Sequence, residues 1–154
     1  MRGGQKPHPD AGCFKCNRCR VACPILNETK KFKSTNTKKE YKIKQKVTCD
    51  SDWVIYLGTC TKCEGQYVGK SQTSFKRRHS NHKQEVKKKV GGLGHHYGGR
   101  GGCGYQKCSV QIIEQLNSGG RINCRFMFKM VTKPSLQERN HTRAQSSNFQ
   151  IWKI

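Results

Sequence analysis

Residues 53–82 read WVIYLGTCTKCEGQYVGKSQTSFKRRHSNH, and the way this stretch alternates decides the fold class. WVIYLG is a run of β-formers and QYVG a second, shorter one, while the TCTKCE between them leaves room for a hairpin loop. Tyr56 and Tyr67 therefore fall on paired neighbouring strands. After Gly69 the pattern turns helical: SQTSFKRRHSNHKQEVKKKV has Thr73 or Ser74 as its N-cap, lysines in its last turn and Gly91-Gly92 as a stop. Phe75, Arg78, His82 and Val86 recur at three and four residues, so they share one helix face. With the two strand tyrosines, Arg78 and His82 mark a place where one phosphate can meet all four side chains.

Further out, SVQIIEQL at residues 109–116 reads as a third strand. EYKIKQKV at residues 40–47 alternates, with Tyr41, Ile43 and Gln45 pointing one way and lysines the other, which suits an edge strand with a basic outer face. Such a ribbon fits phosphate contact; the plainer reading is a strand that lysine keeps solvated. The glycine-rich segment from Gly91 to Lys107 is expected to be a loop without a ligand. Its alternative is a second metal site using His95 or His96 with Cys103 and Cys108. Past Leu116, INCRFMFKMV has the composition of a further strand and the remainder is polar. The chain divides into a basic cysteine-rich segment (1–48), a central domain (49–117) and a divergent tail (118–154).

Lysine and arginine number 31 against 9 acids, a net charge of +22. That excess is far beyond what solubility needs and points to a polyanionic partner, with nucleic acid ahead of an anionic membrane. The opening MRGGQKPHPDAG lacks the apolar core of a secretory signal, and no apolar run is long enough to span a bilayer. The expectation is an intracellular, nuclear protein. In a reducing compartment ten cysteines argue for metal before disulfides. Cys13, Cys16, Cys19 and Cys23 are spaced as two- and three-residue bites, and Cys60 and Cys63 form a further bite in the hairpin loop. Cys16, Cys19, Cys60 and Cys63 are expected to share one structural zinc ion, with Cys13, Cys23 and Cys49 as alternates.

The VIY at Val54–Tyr56, the YVG at Tyr67–Gly69 and the Arg78/His82 pair resemble the GIY-YIG nuclease family. CNRC at Cys16–Cys19, YKIK at residues 41–44 and SVQIIEQL bring the resemblance closest to the endonuclease domain of Penelope-like retroelements. It implies an α+β fold, a small, mainly antiparallel three-stranded sheet flanked by helices, joined here to a cysteine-rich zinc-binding segment. It also implies hydrolysis of a DNA phosphodiester with one Mg²⁺ ion and no small-molecule cofactor or membrane partner. Tyr56 would act as general base or position the water, its pKa brought down by nearby cations; Tyr67 would hydrogen-bond phosphate or water. Arg78, chosen over Arg77 by its spacing to His82, would neutralise charge on the phosphate, and His82 would assist. Magnesium needs a carboxylate, for which Glu114 is assigned and Glu138 is the other acid of the region. The tail differs from the family's metal-binding segment, so two further readings stand beside the nuclease: an inactive zinc-containing DNA-binding remnant, and a secreted cationic disulfide-rich protein.

Overall fold

The computed structural model describes residues 8–116; INCRFMFKMV and Glu138 lie outside the described residues. Four short strands come first, β1 (Gly12–Phe14), β2 (Lys31–Lys33), β3 (Glu40–Lys42) and β4 (Lys46–Thr48). They are followed by β5 (Val54–Cys60), β6 (Gln66–Ser71), α1 (Phe75–Lys88), α2 (Gly91–Gly98) and, after a 3₁₀ turn at Tyr105–Lys107, β7 (Cys108–Gln115). The described chain is thus α+β, with two helices and small sheets.

β5, the apolar run of the opening stretch, is the centre of an antiparallel sheet ordered β6-β5-β7. Alternation sorts its residues onto two faces. Tyr56 and Gly58 lie opposite Ile112 and Val110, whereas Leu57 and Thr59 lie opposite Gln111 and Ser109. Tyr56 meets Phe75 of α1 at 5.1 Å between ring centroids, so the helix covers the tyrosine face. The N-terminal segment works on the other side. Gln66, opposite Thr59, donates to the Lys33 carbonyl at 2.9 Å and accepts from the Thr35 amide at 2.8 Å. Residues 25–27 pair with Val110 through bonds of 2.7 and 2.8 Å and cover the free edge of β7.

Two glycines set the distance between the paired strands' side chains. The Tyr67 ring lies over Gly58 and the Tyr56 ring over Gly69, each glycine being the cross-strand partner of the tyrosine it carries. A Cβ on either glycine would fall inside the facing ring. This reciprocal arrangement seats each phenol over a glycine on the sheet face that α1 covers.

α1 starts where its free amides find carbonyls from the preceding chain: Phe75 N donates to Ser51 O at 3.2 Å and Lys76 N to Cys49 O at 3.0 Å. Ser74 is the N-cap residue. Lys89 ends the helix in the left-handed conformation, with Lys87 and Lys88 in the last turn where they complement the helix dipole. The buried positions are Phe75, His79 and His82, so His79 shares the inward face expected for Phe75 and His82.

Two elements depart from the sequence reading. EYKIKQKV is not one edge strand: β3 pairs antiparallel with β2, and β4 pairs parallel with β1. The break falls where the Gln45 side chain exchanges two hydrogen bonds with the backbone of Gln115, at 3.0 and 2.8 Å. The glycine-rich segment opens as a helix, α2, rather than as a loop. Its glycines serve close packing, since a Cβ at Gly94 would sit 2.7 Å from the Glu85 carbonyl oxygen of α1.

Candidate functional site

Under α1 the tyrosine face carries a chain of polar contacts in a dry setting. The Tyr56 hydroxyl is 2.7 Å from His82 Nε2, and His82 Nδ1 is 3.1 Å from Glu85 Oε2. Arg78 Nε donates to the Tyr56 oxygen at 3.4 Å, and the Arg78 guanidinium also pairs with Glu85 Oε1 at 3.7 Å. Tyr67 completes the group edge-on, its ring centroid 6.2 Å from Tyr56 and 6.5 Å from His82, with its hydroxyl 3.8 Å from Cys108 Sγ. Tyr56 and His82 are 0% and 1% exposed, whereas the side chains of Arg78 and Glu85 are 20% and 30% exposed. The cluster therefore reaches solvent at Arg78 and Glu85.

Arg78, His82 and Glu85 fall on one side of α1 because they stand four and three residues apart. The structure brings Tyr56, Tyr67, Arg78 and His82 together, as the strand–hairpin–helix reading expects. Glu85 was missed. Its signal was available: an acid three residues after a helix-face histidine is its surface neighbour.

Electrostatics set the direction in which protons sit. Burial pushes the Tyr56 phenol up to about 12, and Arg78 only partly offsets it, which corrects the expectation that nearby cations bring Tyr56 down. Burial, aided by the Arg78 charge, holds His82 below its ordinary value; the Glu85 carboxylate at Nδ1 pulls the other way, and burial prevails. A neutral His82 ring beside a carboxylate is assigned its proton on Nδ1, because Glu85 can only accept. Nε2 is then the acceptor for the Tyr56 hydroxyl. The order Tyr56 O–H, His82, Glu85 is that of a nucleophile or water-activating group, a base and an orienting acid.

Glu114 does not belong to this cluster. It lies opposite Ile55, beside a β-bulge, on the sheet face away from Tyr56, where burial raises its pKa and Lys44 only partly offsets that. Among the described residues the carboxylate at the cluster is Glu85, and its two oxygens already face His82 and Arg78. This donor set does not fit a magnesium ion, which asks for hard oxygens free to coordinate.

Two further groups could hold metal ions. Cys16, Cys19, Cys23 and Cys49 bring four sulfurs within 4.8 Å of one another, and Cys60, Cys63, His96 and Cys103 do the same with three sulfurs and a ring nitrogen. Sulfur separations in the first group include 3.3, 3.4 and 3.6 Å, close to the ~3.8 Å edge of a tetrahedron with bonds of ~2.3 Å. The Cys16 amide donates to Cys49 Sγ at 3.3 Å, the kind of outer bond that orients a ligand. In the second group burial alone would push Cys60 up, but contacts with His96, the backbone of Cys63 and Lys62, and the Cys63 side chain bring it to about 6.

The single site expected from Cys16, Cys19, Cys60 and Cys63 is therefore replaced by two. Its physical obstacle is β5, which separates Cys49 from Cys60 by a seven-residue strand, roughly 20 Å of extended chain. Of the alternates, Cys23 and Cys49 join the first group. Cys13 does not, being buried and accepting the Ile112 amide at 3.3 Å. Of the ligands weighed for a second site, His96 and Cys103 take part, while Cys108 lies inward against Tyr67. All nine described cysteines are free thiols.

The two groups hold α1 at both ends. Cys49 caps its first turn, as described above, and α2, which carries His96, packs on its last turn. Between them His79 accepts from the Tyr105 hydroxyl at 2.8 Å, stacks on that ring at 5.3 Å, and bonds the backbone of Val21, between Cys19 and Cys23. No described helix is long and apolar enough to cross a membrane. In comparisons with family models, curated proteins and solved structures, nothing matches this chain.

Proposed function

We propose that the chain is a DNA phosphodiester hydrolase of the GIY-YIG type, with zinc in both cysteine-rich groups and a basic surface that binds its substrate. The observation that carries the reading is the Tyr56–His82–Glu85 chain with Arg78 bonded to its first member. In the proposed step a water gives a proton to the Tyr56 oxygen as the Tyr56 proton passes to His82 Nε2. Glu85 stabilises the resulting imidazolium, the hydroxide attacks phosphorus, and the P–O bond to the leaving sugar oxygen breaks, that oxygen taking a proton from solvent. Arg78, which reaches solvent, neutralises the charge that builds on the non-bridging oxygens. Tyr67 lines the same face and orients the water or phosphate. Zinc is favoured in both groups because four thiolates, or three thiolates and one imidazole, are its preferred donor sets. Held there, the ions fix both ends of the helix that carries Arg78, His82 and Glu85.

The second reading is an inactive DNA-binding remnant of the same fold, favoured by the engagement of both Glu85 oxygens, which leaves Mg²⁺ no evident anchor among the described residues. Nicking of supercoiled plasmid, with and without Mg²⁺, separates the two. The hydrolase reading expects nicking by the wild type, its loss in Arg78→Ala with zinc content unchanged, and a much smaller effect of Arg77→Ala. Absence of nicking under both conditions, with DNA binding retained, selects the remnant. Loss in Arg77→Ala with Arg78→Ala still active overturns the assignment of the arginine.

A further inference from the structure

Residues 30–46 read KKFKSTNTKKEYKIKQK, in which every lysine is exposed and Glu40 is the lone acid. The apolar positions of this segment are satisfied by the fold. Phe32 and Tyr41 stack at 5.2 Å with planes 15° apart, and Phe32 and Ile43 are buried. The outward positions of the β2–β3 ribbon are Lys31, Lys33, Glu40 and Lys42. Lys31 stands directly across from Lys42 and Lys33 across from Glu40, and the acid's contact is a 2.8 Å pair with Lys31. A like-charged pair directly across a ladder is destabilising, and a single glutamate leaves the face strongly positive. The bland account is that lysines guard a two-stranded ribbon with open edges against pairing. That task does not need the charge to continue through Lys38 and Lys39 in the turn and Lys44 and Lys46 beyond it.

Position gives the face a separate identity. Gln66 and Gln111, which the ribbon adjoins, belong to the sheet face opposite Tyr56. A phosphate at Arg78 is therefore on one side of the sheet and the ribbon on the other.

We infer that the β2–β3 ribbon is a second nucleic-acid contact, behind the sheet, that grips the phosphate backbone of duplex DNA independently of the tyrosine cluster. Lysines two apart on a strand are ~6.6 Å apart, and a duplex offers a charge every ~1.7 Å along its axis, so each ammonium finds a phosphate. The segment contains no arginine, so its contacts are the point-charge contacts of lysine, without the planar fork of a guanidinium, and contacts to phosphate carry no base information. The grip is sequence-independent.

The inference rests on the DNA-binding part of the proposed function, and its test separates the two. The full chain and the variant K31Q/K33Q/K42Q/K44Q are titrated with a 20-base-pair duplex between low and moderate salt, with zinc content measured in both. Lysine acetylation of the wild type is mapped with and without the duplex. The expected result is a salt slope shallower in the variant by about 2 to 4, from ~0.9 per lost phosphate contact, together with protection of Lys31, Lys33, Lys42 and Lys44 in the wild type. An unchanged slope, or acetylation of those lysines unaffected by duplex, overturns the ribbon contact while leaving DNA binding intact. A wild type that does not bind the duplex overturns the DNA reading itself. Should the ribbon lysines be protected by phosphatidylserine vesicles and not by duplex, the face is a membrane contact and the inference is wrong.

Discussion

Tyr56 Oη and His82 Nε2 are 2.7 Å apart, a strand residue joined to a helix residue with almost no exposed surface on either side chain. The bond is as much a packing constraint as a chemical one. It fixes the rotation of α1 over the sheet, because Phe75 and His82 must face Tyr56 together while Arg78 keeps its guanidinium at the solvent edge.

Tyr56→Phe tests that bond. The ring still packs on Phe75 and Gly69, but His82 Nε2 and Arg78 Nε lose their shared partner. Removing one partner of a buried hydrogen bond costs about 1–3 kcal/mol. Urea unfolding should show a loss of that size, with zinc content unchanged and plasmid nicking abolished. A variant that nicks at the wild-type rate removes Tyr56 from the chemistry.

Glu85→Gln asks a narrower question. An amide oxygen can still accept from His82 Nδ1, so the ring keeps its orientation, yet the charge that stabilises an imidazolium is gone. Nicking should fall roughly 10²- to 10⁴-fold, a loss on the scale of general acid–base contributions, with little change in unfolding midpoint. Equal activity in the variant would mean that Glu85 has a packing role alone.

The strand pair and the first helix were legible in the sequence because their signals are local: alternation, a short hairpin loop and a change of period at Gly69. Gly58 and Gly69 were less so. Each is demanded by a ring on the other strand, and that relation exists only once the register pairs Tyr67 with Gly58 and Tyr56 with Gly69. The metal groups failed for a related reason. Bites such as Cys16/Cys19 and Cys60/Cys63 are local, but which bites share an ion depends on where β5 carries the chain between Cys49 and Cys60. Gly91–Gly98 was read from composition as loop, whereas its glycines answer to the close approach of α1 and leave His96 beside Cys60 and Cys63.

Gly58→Ala and Gly69→Ala should each be severely destabilising, because the added carbon falls inside the facing aromatic ring and both rings are held by the helix above. Overpacking of this kind costs about 1–3 kcal/mol or more. Thermal melts that leave either variant within a degree or two of wild type contradict the reciprocal seating of the two phenols.

Metal stoichiometry distinguishes two sites from one. Elemental analysis of reduced, purified protein should give two zinc ions per chain. Cys49→Ser and Cys63→Ser should each lower the count by one, and their combination should lower it by two. A single ion lost by both variants alike restores a shared site, and the strand-length argument then fails.

His79 supplies the acid limit of the fold. It is 1% exposed, and burial first, then the Lys83 charge, lowers it from 6.5 to about 4. As pH falls below 6.5 the unfolded chain takes up this proton first. The His79 contribution is thus complete above about pH 6.5 and drains away down to about pH 4, by on the order of 3 kcal/mol at most. His82, lowered for the same reason, adds a loss of the same sign, and where the cysteine groups hold zinc, protonation of their thiolates adds another. Comparison with His79→Phe isolates the histidine: the ring volume stays, the bonds to Tyr105 and Val21 go, and stability at pH 7 drops by about 1–3 kcal/mol. Between pH 6.5 and 4 its stability should then fall less steeply than that of the wild type, while zinc content is followed in both. Parallel pH profiles for the two proteins would mean that His79 is not held neutral in the folded state.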